Sequence, residues 1–155
     1  MFLRSKRLFL RPAWPEDENE VRTLADGPAS SRALSSATGH EQRLLLTVPG
    51  SAGSHIIGWL GLRENGRDCE LGLWIADGWR GRGYAIEAVR AVLPLARALG
   101  HRRIVAAGDA TQPRLVRLFE KAGFRRDEAT GRHVLLLCVE ADDDNDPGAD
   151  RRMAA

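Results

Sequence analysis

The chain has 155 residues, 43% of them hydrophobic, and a formal net charge of +2 at pH 7. That is enough for one domain with a real core and too little for two comfortable ones. The small charge argues against nucleic acid as the main partner, and no stretch approaches the ~20 apolar residues of a membrane span.

The N-terminus "MFLRSKRLFLRP" alternates charge and bulk and lacks the apolar run of a signal peptide, so a soluble cytoplasmic protein is the default expectation. "RLFLRP" (7–12) reads as a short strand ended by Pro12. "PEDENEVRTLADG" (15–27) reads as a helix, with Pro15 in its first turn, acids near its positive end and Gly27 as its stop. "PASSRALSSATGHE" is small and polar, with at most one weak helical turn, and its His40 reads as an exposed loop residue. "QRLLLTV" (42–48), "HIIGWLGL" (55–62) and "CELGLWI" (69–75) form an antiparallel meander, turned by "PGSAGS" and by an Asn65-Gly66 hairpin signal.

From Ala85 to Leu99 the apolar period lengthens to that of an amphipathic helix, with Pro94 inside it and Gly100 at its end. "RIVAAG" (103–108) is a strand. "PRLVRLFEKAGF" is a second amphipathic helix, in which Phe119 can pack on Phe124 across the Gly123 stop. A last hairpin turns around Ala129-Thr130-Gly131, and from Ala141 the chain is acidic and without period. Cys69 and Cys138 lie in apolar strand-like runs, so both are expected as free buried thiols, and no Cys/His cluster has metal-ligand spacing.

"ADGWRGRGYAIEAVR" (76–90) carries the chemistry. A strand that ends in a glycine turn and opens a helix makes an anion site: the first helical N–H groups lack partners, the helix dipole is positive there, and glycine lets the backbone approach phosphate oxygens. A P-loop needs a Lys after its last glycine, and none follows Gly83. A dinucleotide fingerprint needs Gly or Ala where Ile86 stands, and a βαβ unit where this chain has a meander. A tight turn with solvated arginines is the plain alternative.

The stretch "R-G-R-G-Y-A" resembles the R/Q-x-x-G-x-G/A signature of the GNAT acyl-CoA-dependent N-acetyltransferases. "RLFLRP", "IIGWLGL", "ELGLWIADGWRGRGYAIEAVRAVL" and "LVRLFEKAGF" follow in the order of the branch that contains the ribosomal-protein N-terminal acetyltransferases, over roughly residues 7–139. The resemblance implies one α/β GNAT-like domain over 1–140. It would have a mixed, mostly antiparallel sheet of about 6–7 strands, about four helices and splayed central strands; the acidic, Gly- and Pro-containing composition of 141–155 separately predicts a disordered tail.

It also implies acetyl-CoA as co-substrate, no metal, and transfer of the acetyl group to a primary amine of a protein N-terminus or a small molecule. Leu73, Trp74 and Ile75 match the strand that holds the pantetheine arm; Arg80, Gly81, Arg82, Gly83, Tyr84 and Ala85 match the pyrophosphate loop; and Gln112 stands where relatives carry an Asn against the CoA arm. Glu70 matches a general base, acting directly or through water, while an ion pair with an arginine explains it equally well. Leu115 and Phe119 replace a Ser and a Tyr common in the family; the missing Tyr leaves the general acid unassigned, and Gln112, Leu115 and Phe119 together favour, as an alternative, a non-catalytic acyl-CoA-binding domain. Glu87 matches a Glu of the branch, and Arg90 at i+3 is an available partner. Monomer and homodimer are both open, with no membrane or nucleic-acid partner expected.

Overall fold

Strand β1 (Leu3–Arg4) pairs antiparallel with β2 (Phe9–Arg11), and Pro12 closes β2 because its ring removes the donor that a ladder needs. The computed structural model describes residues 2–24, 41–66, 68–107 and 113–137. Gln112, His40, Cys138 and the 141–155 tail lie outside them. A 3-10 turn (Pro15–Asp17) leads into α1 (Glu18–Leu24). Arg11 and Asp17, both buried, join through two hydrogen bonds of 2.7 and 2.8 Å, and Asp17 also accepts the Trp14 amide at 2.7 Å. This pair fixes where the chain leaves β2 and starts to coil.

The meander is longer than its apolar runs. Strands β3 (Glu41–Gly50), β4 (Gly53–Asn65) and β5 (Asp68–Ile75) pair in antiparallel order. Gly66 takes the left-handed turn position at φ +65°, which glycine adopts without strain. The β3–β4 register slips at Ile57, a bulge, and Glu20 of α1 accepts the Ile56 amide there at 2.9 Å. Helix α2 (Tyr84–Ala98) follows, then β6 (Arg103–Ala106) parallel to β5, α3 (Pro113–Lys121), β7 (Arg125–Arg126) and β8 (His133–Leu136).

One mixed, mostly antiparallel eight-stranded sheet results, in the order β1-β2-β3-β4-β5-β6-β8-β7. The described residues add β1 to the strands expected from sequence and hold three α-helices. The weak fourth helical turn falls on residues outside them.

The sheet buries both faces. On one face Leu46, Leu60, Cys69, Leu71 and Ile104 of the sheet share a core with Val89 and Val92 of α2 and Phe119 of α3. Against α1 pack Leu45, Ile56 and Trp59, with Val21 above and Trp74 beside them. Both long helices end as read. Beyond α2, Gly100 sits at φ +86° while the amides of Gly100 and His101 return to Arg97 and Ala96. Beyond α3, Gly123 sits at φ +97°, the Phe124 amide returns to Phe119 at 2.8 Å, and the two rings meet with centroids 5.0 Å apart.

Candidate functional site

The site begins where two parallel strands part. Pairing of β5 with β6 runs from Asp68–Arg103 to Leu71–Ala106 and ends with the Ala107 amide donating to the Leu71 carbonyl at 2.7 Å. β5 continues to Ile75 with no strand beside it on that flank among the described residues. Backbone direction alternates along a strand, and Leu71 faces β6, so the main-chain groups of Leu73 and Ile75 face the opening. Those of Trp74 face β4, where Trp59 is its register partner.

The opening widens into a cleft of about 780 Å³. Leu73, Trp74 and Ile75 form one wall, Trp79, Arg80, Gly81, Gly83, Tyr84 and Ala85 the end, and Leu115, Leu118 and the bases Arg114, Arg117 and Lys121 of α3 the other wall. Arg82, expected with them, does not line the cleft, and its guanidinium lies 5.2 Å from the centre of the Trp79 ring. The turn carries two left-handed glycines, Gly81 at φ +76° and Gly83 at φ +82°, the second being the N-cap of α2. No Cβ occupies the space beside the turn at either position. An extended polar chain could pair with the β5 edge, and phosphates could then rest at the helix N-terminus. Four lining cations, Arg80, Arg114, Arg117 and Lys121, face one lining carboxylate, Asp77, which is almost fully exposed.

Two side chains that the sequence singled out are held in ion pairs. Arg80 is tied to the turn: its Nε donates to the Ile75 carbonyl at 2.8 Å and Nη1 pairs with Asp77 at 2.6 Å, so its charge is fixed rather than free to swing. Glu87 pairs with Arg7 of the N-terminal hairpin at 2.7 Å and not with Arg90. Burial pushes the Glu87 carboxyl up, but the Ser5 hydroxyl and the Arg7 amide and guanidinium together hold it below the usual range.

Glu70 lies one residue before the parting. It does not line the cleft. It borders a separate polar cavity of about 150 Å³, between Arg63 at 3.2 Å and Arg132 at 3.7 Å. The ion-pair alternative is therefore present in the structure. Phe119 is buried on Phe124 and does not line the cleft, and Tyr84, the chain's single tyrosine, stands edge-on to Trp79 at the start of α2. Burial pushes the Cys69 thiol up to about 11, with Glu64 and Glu70 adding to the shift, so it is a closed core thiol rather than a nucleophile. Among the described residues no cluster of His, Cys, Asp and Glu could hold a metal, and no helix is long and apolar enough to cross a membrane.

Sequence reasoning missed the base stripe of α3 and the part played by Trp79. The signal for the stripe was there: Arg114, Arg117 and Lys121 recur at i, i+3 and i+7 on one side of the helix. Trp79 offered none, because its ring neighbours His55 and Tyr84 come from other elements.

Residues 7–125 match the acetyltransferase (GNAT) domain, and the chain belongs to that family. No curated protein sequence matches it significantly. Among solved structures it is similar to a provisionally assigned ribosomal-protein-serine acetyltransferase from Vibrio cholerae, with 17% identity, TM-score 0.71, and 88% of this chain and 97% of that one covered. A GNAT-family acetyltransferase from Bacillus anthracis gives 17% identity and TM-score 0.71, over 88% of this chain and 99% of that one. A spermidine N-acetyltransferase chimera of Vibrio cholerae and hSSAT sequences gives 20% identity and TM-score 0.66, covering 85% and 96%. At these identities the likeness is one of fold.

Proposed function

We propose that the chain transfers an acetyl group from acetyl-CoA to a primary amine, by direct attack of the amine on the thioester. The observation that carries the reading is the open β5 edge running straight into the glycine turn at the start of α2. An acyl-pantetheine arm would pair with Leu73 and Ile75, and the pyrophosphate would accept hydrogen bonds from the amides of Gly81 to Ala85, the Arg80 amide donating instead to the Asp77 carbonyl at 3.3 Å. Arg114, Arg117 and Lys121 supply a further positive wall for the remaining phosphate. Gln112, which lies outside the described residues, is proposed to bond the CoA arm.

Glu70 is proposed as the group that takes the amine proton, through water, because it is the carboxylate nearest along β5 to the parting of the strands. The tetrahedral oxyanion would accept from backbone N–H groups of the opened strand. The leaving thiol needs little help: a thiol of pKa ~8.5 leaves readily as thiolate near neutral pH, so a phenylalanine at 119 is compatible with turnover.

A second reading, a non-catalytic acyl-CoA-binding domain, draws on two observations: Glu70 is held by two arginines, and Phe119 carries no hydroxyl. One experiment separates the two. Incubate the protein with acetyl-CoA and a panel of peptide N-termini, polyamines and amine antibiotics, and follow free thiol. Amine-dependent thiol release is the expected result. CoA binding by calorimetry with no turnover on any class would leave the binding domain standing.

A further inference from the structure

The glycine turn is held from behind by a residue outside it. The side chain of Arg7, in the loop between β1 and β2, makes four contacts with the turn and the first residues of α2. Its Nη1 donates to the Arg82 carbonyl at 2.9 Å, and its Nε donates to Glu87 Oε2 at 2.7 Å. Its guanidinium lies 4.3 Å from the centre of the Tyr84 ring. Its Nη2 stands so close to Gly83 that a Cβ there would meet it at 3.3 Å. Glu87 completes the clamp: its Oε1 accepts the Arg7 amide at 2.6 Å and the Ser5 hydroxyl at 2.7 Å. Arg7 itself does not line the cleft.

The bond to the Arg82 carbonyl matters because a peptide unit is planar, with its C=O and the following N–H pointing opposite ways. If the Arg82 carbonyl faces Arg7, the Gly83 N–H faces away from Arg7. Gly83 is itself a wall of the cleft. The same glycine makes this orientation weakly determined by the loop alone. Turning the 82–83 peptide over requires changes only in ψ of Arg82 and φ of Gly83, and glycine accepts either sign of φ. Something outside the loop has to choose.

We infer that Arg7, braced by Glu87, is a positioning residue that holds the 82–83 peptide with its N–H aimed at the phosphate position. The inference rests on the acetyl-CoA reading of the cleft, and it gives the β1–β2 hairpin a part in cofactor recognition. Arg7 acts on the diphosphate alone, through one peptide, so its loss should be felt only by ligands that carry the diphosphate.

The test compares CoA with pantetheine, which has the arm and thiol but no phosphate. Measure both by calorimetry on wild type, Arg7→Ala, Arg7→Lys and Glu87→Gln. Arg7→Ala should weaken CoA about tenfold, the scale of one charge-assisted hydrogen bond, and leave pantetheine unchanged. Arg7→Lys keeps the charge, fills the slot and cannot form the fork, so it should recover only part of the loss. It also carries the test if the alanine variant does not fold. Glu87→Gln should weaken CoA less than Arg7→Ala. Where turnover is measurable, KM for acetyl-CoA should rise with kcat kept. Unchanged CoA affinity in a folded Arg7→Ala or Arg7→Lys protein overturns the inference, as does a proportionate loss of CoA and pantetheine. Wild type that binds neither ligand overturns the acetyl-CoA reading and this inference with it. Wild type that binds CoA while the variants match it overturns this inference alone.

Discussion

Glu70 has two descriptions that experiment can part. Its carboxylate lies between Arg63 and Arg132, and Arg63 is mostly exposed, so removing the negative charge should cost the fold little, within about 1 kcal/mol. Its effect on rate depends on the acceptor. An alkyl amine of pKa ~10.4 is protonated at pH 7, and losing the group that accepts that proton should lower the rate by ~10²–10⁴. A peptide α-amine near pKa ~8 is already about one-tenth neutral, so Glu70→Gln should cost far less there, and raising the pH should restore most of it. The measurement is kcat/KM against pH for wild type and Glu70→Gln on the best acceptor. Superimposable profiles would take Glu70 out of the mechanism and leave it an ion-pair residue.

At the scale of elements, the opening of the sheet depends on where β5 is held on its closed side. β4 grips it from Asn65–Asp68 through Gly58–Ile75. At the end nearest the glycine turn, Gly58 comes so close that a Cβ would lie 2.1 Å from the Trp74 carbonyl oxygen, a backbone atom that cannot rotate aside. Gly58→Ala should therefore push the strands apart beside the cleft. The expected cost is that of an overpacked core, ~1–3 kcal/mol, read as a fall in Tm of roughly 3–10 °C. Gly61→Ala is the control, since its nearest neighbours are side-chain atoms of Glu41 and Trp59 at 3.3 and 3.5 Å. It should lose clearly less. Equal losses would mean that the Gly58 contact relaxes.

What could be read in the sequence follows the range of the interactions concerned. The helix ends at Gly100 and Gly123, the Phe119–Phe124 contact and the turn at Gly66 are set by residues a few places apart, and each stands where local pattern put it. The glycine turn was legible for the same reason. The Arg7–Glu87 clamp was not, because its members are 80 residues apart and a nearer arginine, Arg90, satisfied the local rule. The Ile57 bulge and its Glu20 partner were hidden likewise, since an apolar run gives no sign of a register slip. The family's order of motifs supplied the splayed strands, which no periodicity encodes.

For the whole molecule, charge pairing sets the response to acid. Among the described residues three carboxyls are held below their ordinary values. Asp17 is lowered chiefly by its hydrogen bond from Arg11, against the opposing effect of burial, with the Trp14 amide helping. Asp68 is lowered chiefly by its hydrogen bond from Arg103. Glu87 is lowered because Ser5 and Arg7 together outweigh its burial. In the unfolded chain these groups return to about 3.8 for Asp and 4.5 for Glu, so the unfolded state binds protons first as the pH drops. Each group's contribution to stability is thus whole above its unfolded value and is lost as the pH falls through its folded value. Tm should be level from pH 6 to 8, begin to fall below about 4.5, and fall further below 3.8.

Asp17→Asn isolates the most buried of the three. It leaves the Arg11 guanidinium, only 7% exposed, without its counter-charge, and breaking one side of a buried pair costs roughly 3–5 kcal/mol near neutral pH. Below pH 3.8 the Asp17 carboxyl of the unfolded wild-type chain takes up a proton while the folded one still holds its charge, so the gap between wild type and variant should narrow steadily. Urea unfolding at pH 7, 4 and 3 reads this directly. A gap that stays constant down to pH 3 would show that the Asp17 charge is not what holds Arg11 in place.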